Sequence, residues 1–262
     1  MTVAAPVGAS AWTLLEYNLY AARRYWRSVV IVGLVTPLLY VLALGVGLGK
    51  VVNAHGHPLG VSYVVFVAPA LLTAAALQVA ANEATYPIMA GFKWVRYFHG
   101  MAATPLTPRQ IADGQLLWIG VRTLVNSAVY LAIIAGFGGA QRPQIMWAVL
   151  TATLTGLAFA APVMALSASV EAEGQAFNIL ARFVITPMFL FSGTFYPISR
   201  LPEWGQWIAR ITPLWHGTEL ARAAALGGAS VLDTVGHIAY LAAWLVVGVG
   251  LSRWRFARRI AR

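Results

Sequence analysis

Six stretches of about twenty predominantly apolar residues dominate the chain, and about 20 such residues are needed for a helix to cross a hydrocarbon core of about 30 Å. The predicted spans are 28–49, 61–84, 111–137, 145–170, 177–196 and 235–252. Of the 262 residues, 60% are hydrophobic and 10% are charged, against about 25% charged residues in an ordinary soluble domain. The sequence excludes a soluble globule and predicts an all-α polytopic membrane protein with one domain over residues 1–262.

An amphipathic helix is predicted ahead of the first span. Its apolar stripe recurs at spacings of three and four residues, and its members are Trp12, Leu15, Leu19, Ala22 and Trp26. The other stripe carries Glu16, Tyr20, Arg23 and Arg27. A helix with this pattern lies in the membrane interface. Residues 1–27 are therefore expected to form an interfacial helix.

Positive charges indicate the orientation of the bundle, because cytoplasmic loops are enriched in lysine and arginine. Six spans place both termini on one side, which receives eleven cations, namely Arg23, Arg24, Arg27, Lys93, Arg96, Arg109, Arg253, Arg255, Arg258, Arg259 and Arg262. The other side receives five, namely Lys50, Arg142, Arg200, Arg210 and Arg222. Both termini are therefore predicted to be cytoplasmic. The net charge of +10 then reflects orientation and contact of the basic tail with anionic lipids, and no nucleic-acid partner is expected.

Two connections are too long and too patterned to be simple turns. The cytoplasmic connection at 85–110 mixes aromatic and basic residues, and we expect a short amphipathic helix over 91–103 lying on the cytoplasmic face. The external connection at 197–234 is unusually apolar, with two predicted helical pieces at 202–211 and 213–226. Pro213 suits a first helical turn, and the pair Gly227-Gly228 suits a helix stop. Neither piece is long enough to cross a membrane, which predicts a re-entrant or interfacial hairpin.

Sites of chemistry are hard to find in this sequence. A P-loop requires two glycines five positions apart followed by Lys and Ser or Thr, and the nearest approach, Gly49-Lys50-Val51, lacks the first glycine and the hydroxyl. The chain has no cysteine. The histidines are too few for a zinc site of three or four ligands, since His55 and His57 stand apart from His216 and Glu219. We expect no catalytic residues, no metal and no cofactor bound by this chain.

Polar residues inside the spans are candidates for a transport pathway. Arg122 lies about eleven positions into the third span, with Asn126 one turn further on. An intramembrane cation indicates a functional site unless it is paired, and Glu83 is the obvious partner for a structural ion pair. Gln78, Asn82 and Glu83 occupy adjacent turns of the second span and either line a pathway or join helices by hydrogen bonds. Both interpretations stay open.

Five segments follow one another in a specific order: EATY at 83–86, ATPLTPR at 103–109, FSGTFYPI at 191–198, PLWH at 213–216 and ELAR at 219–222. With the six spans, they resemble the permeases of ABC type-2 exporters, the group that includes the membrane subunits of nodulation-factor and daunorubicin exporters. The resemblance covers nearly the whole chain and is strongest over 191–222. It implies a bacterial cytoplasmic (inner) membrane protein that is half of a transport pathway.

The family resemblance also implies partners and roles. A second permease subunit, identical or paralogous, and two cytoplasmic ATPase subunits, which bind ATP and Mg, would complete the transporter. The loop between spans two and three would be a coupling helix seated in the ATPase, with contacts from Phe92, Trp94, Arg96, Tyr97 and His99. The external hairpin would close the outer mouth of the pathway, with Phe195, Tyr196, Trp204, Trp207, Trp215, His216 and Glu219 as gate candidates. The exported substrate would be amphipathic: a lipid, a glycolipid or lipo-oligosaccharide, or a hydrophobic drug.

Two other classes of function compete with an ATP-driven exporter. A secondary transporter or channel would work without ATP, but such proteins tend to show inverted repeats and buried ionisable groups, and no acidic residue lies mid-span here. A scaffold protein would explain the aromatic cytoplasmic loop but not the external hairpin.

Overall fold

The computed structural model describes residues 10–24, 35, 38–39, 41–54, 61–171 and 175–261. This part of the chain is helical throughout and contains no β-strand. Its α-helices are α1 (Ala11–Arg23), α2 (Gly49–Asn53), α3 (Tyr63–Ala84), α4 (Tyr86–Phe92), α5 (Tyr97–Ala102), α6 (Pro108–Gly136), α7 (Met146–Ser167), α8 (Gln175–Ile179), α9 (Thr186–Phe191), α10 (Glu203–Ile211), α11 (Pro213–Leu226) and α12 (Val231–Ile260). Two π-helical segments, Val41–Leu48 and Leu180–Ile185, lead into α2 and join α8 to α9. Short 3₁₀ turns lie at Pro143–Ile145 and Ile198–Arg200.

Within the described residues, four helical runs are long and apolar enough to cross a membrane: Tyr63–Phe92, Pro108–Gly136, Pro143–Ser167 and Val231–Ile260. They match the predicted second, third, fourth and sixth spans. The run Gln175–Phe191 is apolar but shorter, and it ends before the predicted boundary at residue 196. The predicted first span at 28–49 lies largely outside the described residues. These helices have the length and composition of a membrane protein.

The core of the bundle lies around α3, which packs against α6, α7 and α11. Small residues allow this close packing, as they do between membrane helices in general. A Cβ added to Gly156 of α7 would lie 3.1 Å from the Ala80 side chain and 2.9 Å from that of Thr123. These three helices therefore meet almost backbone to backbone.

The helix α1 packs against the start of α6 through a face that includes Leu15 but not the rest of the predicted apolar stripe. Leu14 and Leu15 are buried, whereas Trp12 and Leu19 of the predicted apolar stripe are 61% and 45% exposed. Gly114 lies so close that an added Cβ would approach the Ala11 carbonyl oxygen to 2.6 Å. The apolar residues of α1 therefore divide between a buried face and an exposed face.

The ends of several elements meet at one end of the bundle, which we call the basic end. Arg253, near the end of α12, donates to both oxygens of Asp113, near the start of α6, at 2.7 and 2.9 Å. The helices α1, α4 and α5 also lie at this end. The opposite end, which we call the hairpin end, holds α10, α11 and the start of α12. The helix α12 begins at a Ser230 cap, whose Oγ accepts from the Asp233 N–H at 3.0 Å, and it runs past the predicted limit of 252.

Candidate functional site

The connection at the basic end forms two short helices, so the predicted single helix over 91–103 is wrong. The helices α4 and α5 are separated by a turn at 93–96. Arg96 adopts a left-handed conformation with φ of 56°, which does not fit inside a right-handed helix. The chain folds back so tightly that a Cβ on Gly91 would collide with the Phe98 ring. We call residues 86–102 the elbow.

The elbow divides the five predicted coupling residues between its surface and its interior. Trp94 is 51% exposed, and Arg96 is also exposed. Phe92 is buried, with its ring centroid 4.8 Å from that of Phe98. Tyr97 and His99 are half-buried. The surface available to a partner is therefore the turn that carries Trp94, Val95 and Arg96.

The ion pair between Arg122 and Glu83, one of the two alternatives that the sequence left open, is present in the structure. Arg122 Nη1 lies 3.0 Å from Glu83 Oε1, and the two side chains are only 24% and 15% exposed. The Arg122 guanidinium also lies 5.7 Å from the centre of the Trp118 ring. The pair neutralises a cation and a carboxylate that would otherwise be costly at this depth in a membrane.

The other pathway candidates extend this polar region along two helices. Gln78 Nε2 donates to Asn82 Oδ1 at 3.1 Å, and both residues are exposed on α3. Asn126 is half-buried on α6, and its buried Oδ1 has no hydrogen-bond partner among the described residues. We call Gln78, Asn82, Glu83 and Arg122 the polar stripe.

The two helical pieces predicted for the connection at 197–234 are confirmed as α10 and α11. Thr212 Oγ1 accepts from the Trp215 N–H at 3.3 Å at the start of α11, and Gly227, with φ of 79°, ends it. The helix α10 lies at the surface, with Trp204 and Trp207 61% and 64% exposed. In contrast, α11 is inserted among α3, α7 and α12.

A buried arginine ties α11 to two other parts of the bundle. Arg222 is 7% exposed and donates to the carbonyl oxygens of Gly193 and Thr194 at 2.5 and 3.2 Å. It also donates to the Phe66 carbonyl at 3.4 Å and to Glu219 Oε1 at 3.3 Å. The gate candidate Glu219 is thus the counterion of Arg222.

Two histidines join α11 to the last helix. His216 Nδ1 lies 2.7 Å from His237 Nδ1, and His216 Nε2 lies 2.9 Å from the Arg210 carbonyl oxygen. Because a carbonyl only accepts, Nε2 carries the proton and Nδ1 of neutral His216 accepts from His237. The Tyr240 ring stacks on His216 at 3.8 Å, and its hydroxyl donates to the Ile211 carbonyl.

The gate candidates therefore occupy three places at the hairpin end. Trp204 and Trp207 lie on the exposed face of α10, whereas Trp215, His216 and Glu219 lie on α11. Phe195 and Tyr196 lie in the irregular segment after α9. The Phe195 carbonyl accepts from the Tyr63 hydroxyl at 3.2 Å, and the Tyr196 hydroxyl donates to the Leu190 carbonyl at 3.0 Å. Trp215 meets His216, with ring centroids 4.7 Å apart, whereas the other gate tryptophans do not join this cluster.

No group of three or more metal-ligating side chains occurs in the described ranges. The histidines at 55 and 57 lie outside these ranges. His216 and His237 hydrogen-bond to one another, so the same nitrogen atoms are not open to a metal ion.

The structure adds residues that the sequence did not single out. His237 and Tyr240 lie one turn apart on α12 and complete the cluster around His216. At the basic end, Phe256 and Arg259 of α12 pack on Phe92 of the elbow. A polar or aromatic pair one turn apart near each end of the last apolar span was the available signal for both sets.

Comparison with known proteins places these features in a family. Residues 9–226 match the family model described as ABC-2 type transporter. The chain is similar to Nodulation protein J of Rhizobium leguminosarum bv. trifolii, with 30% identity over 263 residues, covering 99% of this chain and 97% of that protein.

Two further relatives agree with this match. Nodulation protein J of Rhizobium meliloti (strain 1021) is 30% identical over 262 residues, covering 98% of this chain and 97% of that protein. The inner membrane transport permease YadH of Escherichia coli (strain K12) is 24% identical over 193 residues, covering 73% of each chain. The chain belongs to the ABC-2 type transporter family.

Proposed function

We propose that this chain is the permease subunit of an ATP-driven exporter in a bacterial cytoplasmic membrane. The observation that carries the proposal is the family match over residues 9–226, together with relatives that include an inner membrane transport permease. Six spans with both termini in the cytoplasm fit the excess of lysine and arginine residues on one side of the membrane. The basic end then faces the cytoplasm, and the hairpin end faces outward.

The partner at the basic end would be a pair of ATPase subunits, which would bind ATP and Mg. The sequence has no P-loop, so energy from ATP must enter through a contact with another protein. The elbow offers such a contact, because Trp94 and Val95 are 51% and 68% exposed beside the cation of Arg96. Large apolar side chains grouped at a surface indicate a protein or membrane interface.

A second permease subunit would cover the polar stripe. Gln78 and Asn82 are exposed on the outside of the bundle, where a single subunit would present them to lipid. Polar groups facing hydrocarbon are costly and usually face a protein interior or a water-filled cavity. A second subunit, identical or paralogous, would turn this surface into the lining of a pathway.

The cargo would be amphipathic: a lipid, a glycolipid or lipo-oligosaccharide, or a hydrophobic drug. The stripe carries no net charge, since Glu83 and Arg122 neutralise each other, and the surrounding spans are apolar. Such a surface suits a molecule with an uncharged polar part and an apolar part. The hairpin of α10 and α11 would close the pathway at its outer end.

Co-purification tests this proposal. An ABC ATPase from the same organism is co-expressed with the tagged permease, and we expect the two to purify together. Trp94→Ala should reduce the retained ATPase by more than half, while Trp147→Ala, at a tryptophan 63% exposed at the start of α7, should leave it unchanged. Equal retention by both variants would contradict the contact at the elbow. Transport by the purified permease without any ATPase would instead identify a secondary transporter or channel.

A further inference from the structure

Arg259, in the last turn of α12, caps the end of another helix. Its Nη1 donates to the carbonyl oxygens of Ala168 and Val170 at 2.8 Å each, and the Ser167 carbonyl lies 3.4 Å away. These carbonyls lie where α7 ends, and the last carbonyls of a helix have no partner within it. A cation at this position also interacts favourably with the helix dipole.

The same guanidinium contacts the elbow. It lies 5.0 Å from the centre of the Phe92 ring, within the range of a cation–π interaction. Phe92 packs in turn on Phe256 at 4.8 Å between ring centroids, and Phe98 lies 5.3 Å from Phe256. All three rings are at most 2% exposed. We call Phe92, Phe98, Phe256 and Arg259 the aromatic junction.

A third contact brings the end of α3 into this arrangement. Ser167 Oγ, at the end of α7, donates to the Ala84 carbonyl at 2.7 Å. The ends of α3, α7 and α12 therefore meet the elbow in one buried region. Closely packed interiors move between discrete arrangements rather than deforming continuously.

We propose that Arg259 is a positioning residue that joins the elbow to the ends of α7 and α12, so that these elements move as one body. This inference rests on the proposed function, because it names the route by which a force applied at the elbow reaches the spans. A displacement of Trp94 by an ATPase would then shift α12 and α7 with the elbow. Without Arg259, a displacement of the elbow would shift α7 and α12 less, because only the ring packing on Phe256 would remain.

The neighbouring Arg258 provides a matched control. It stacks on Trp254 of its own helix, 4.3 Å from the ring centre, and no hydrogen bond joins it to α7 or to the elbow in the described part of the chain. Arg258→Gln removes the same charge at the same height as Arg259→Gln. Only the second substitution removes the bonds to α7 and the contact with Phe92.

The first experiment measures coupling in the complex of permease and ATPase. Arg259→Gln should leave ATPase co-purification and ATP hydrolysis near wild-type levels and lower the substrate moved per ATP at least about fivefold, within the usual range of coupling between sites. Arg259→Lys should recover part of the loss, because its ammonium also donates to carbonyls, and Arg258→Gln should match the wild type. An unchanged ratio in Arg259→Gln, or a parallel fall in hydrolysis and transport, would overturn the inference. Failure of the wild-type ATPase to bind would instead contradict the proposed function.

The second experiment needs no ATPase and no transport. The natural chain has no cysteine, so spin labels can be placed at Gly100→Cys on α5, where an added Cβ meets no atom within 4 Å, and at the exposed position Arg255→Cys on α12. Samples that carry only one of the two labels reveal any distances that arise between two copies of the chain. We expect one narrow distance distribution that broadens with Arg259→Gln and stays narrow with Arg258→Gln. A distribution already broad in the parent, or unaffected by Arg259→Gln, would overturn the inference. Should Arg259→Gln fail to fold, Phe256→Leu keeps the apolar contact, loses the ring packing and should broaden the same distance.

Discussion

Arg122 and Glu83 form an ion pair between α6 and α3, with Nη1 and Oε1 3.0 Å apart, beside the exposed amides of Gln78 and Asn82. The pair is consistent with both interpretations that the sequence left open. It joins two spans, and it belongs to a polar surface on the outside of the bundle. Substitutions separate these roles. If the pair is only structural, removing both charges together should restore stability and leave transport unchanged.

Removing one member of the pair should destabilise the protein. Glu83→Gln or Arg122→Gln leaves a partly buried charged group without its partner, at a cost of about 1–3 kcal/mol, and the double variant should recover most of that loss. Thermal unfolding in detergent measures the stability of all three. The double variant should still transport at least about fivefold more slowly per folded molecule, within the usual range of coupling effects. Wild-type transport by the double variant would make the pair purely structural.

Arg222→Lys should destabilise the hairpin end despite conserving charge. A lysine cannot reach the carbonyls of Gly193 and Phe66 and the carboxylate of Glu219 with one planar group. Leaving such acceptors unpaired costs about 1–3 kcal/mol. The unfolding midpoint should therefore fall in Arg222→Lys, whereas Arg200→Lys, at an exposed position, should not change it. Equal midpoints would show that the carbonyl contacts contribute nothing.

Gly217→Ala tests the close approach of α11 to α7. An added Cβ would collide with the Thr155 side chain, which is fully buried, and overpacking of this kind costs about 1–3 kcal/mol. Gly236→Ala on α12 is the control, since its Cβ meets no atom within 4 Å and alanine favours a helix. We expect a lower unfolding midpoint only for Gly217→Ala, with partial recovery when Thr155→Ala is added. A loss of equal size in both glycine variants would refute the close contact.

Acidification should destabilise the hairpin end through protonation of His216. Burial lowers the pKa of the His216 imidazole to about 4, against the opposing effect of its bond to the Arg210 carbonyl, whereas an imidazole in an unfolded chain titrates near about 6.5. The unfolded chain therefore binds more protons between about pH 4 and 6.5, and the free energy of unfolding falls as the pH drops through this window.

The pH dependence is measured by the unfolding midpoint at pH 7.5 and at lower pH. His216→Gln keeps a donor and an acceptor but does not titrate, so its midpoint should fall less than that of the parent. The nearby groups His237, Glu219 and Asp233 are present in both proteins. Identical pH profiles for parent and variant would exclude His216 as a source of the effect.

Elements that depend on local pattern were predictable from the sequence. Four apolar spans and the two helices of the external connection appear where hydropathy, Pro213 and Gly227 place them. The partner of Arg122 was predictable as well, because Glu83 is the acidic residue that lies within a neighbouring span. In these cases the structure is determined by residues that are close together in the chain, or by the free-energy cost of an unpaired charge in a membrane.

Features that depend on contacts between distant segments were not predictable. The sequence of the elbow predicts one amphipathic helix. In the structure, Phe98 instead packs over Gly91, and Arg96 adopts a left-handed conformation. No local pattern pairs Arg222 with Gly193, or His216 with His237. Likewise, α1 has two apolar faces, and only the position of Gly114 decides which one meets the bundle.

Reconstituted vesicles show whether ATP hydrolysis by a partner drives transport through this chain. The purified permease is placed in liposomes with its co-purified ATPase, and transfer of a fluorescent lipid or lipo-oligosaccharide across the bilayer is followed with ATP and Mg. We expect transport with ATP, none with a non-hydrolysable analogue, and a rate reduced by more than half with Trp94→Ala. Transport at the same rate without ATP, or by the permease alone, would contradict this expectation.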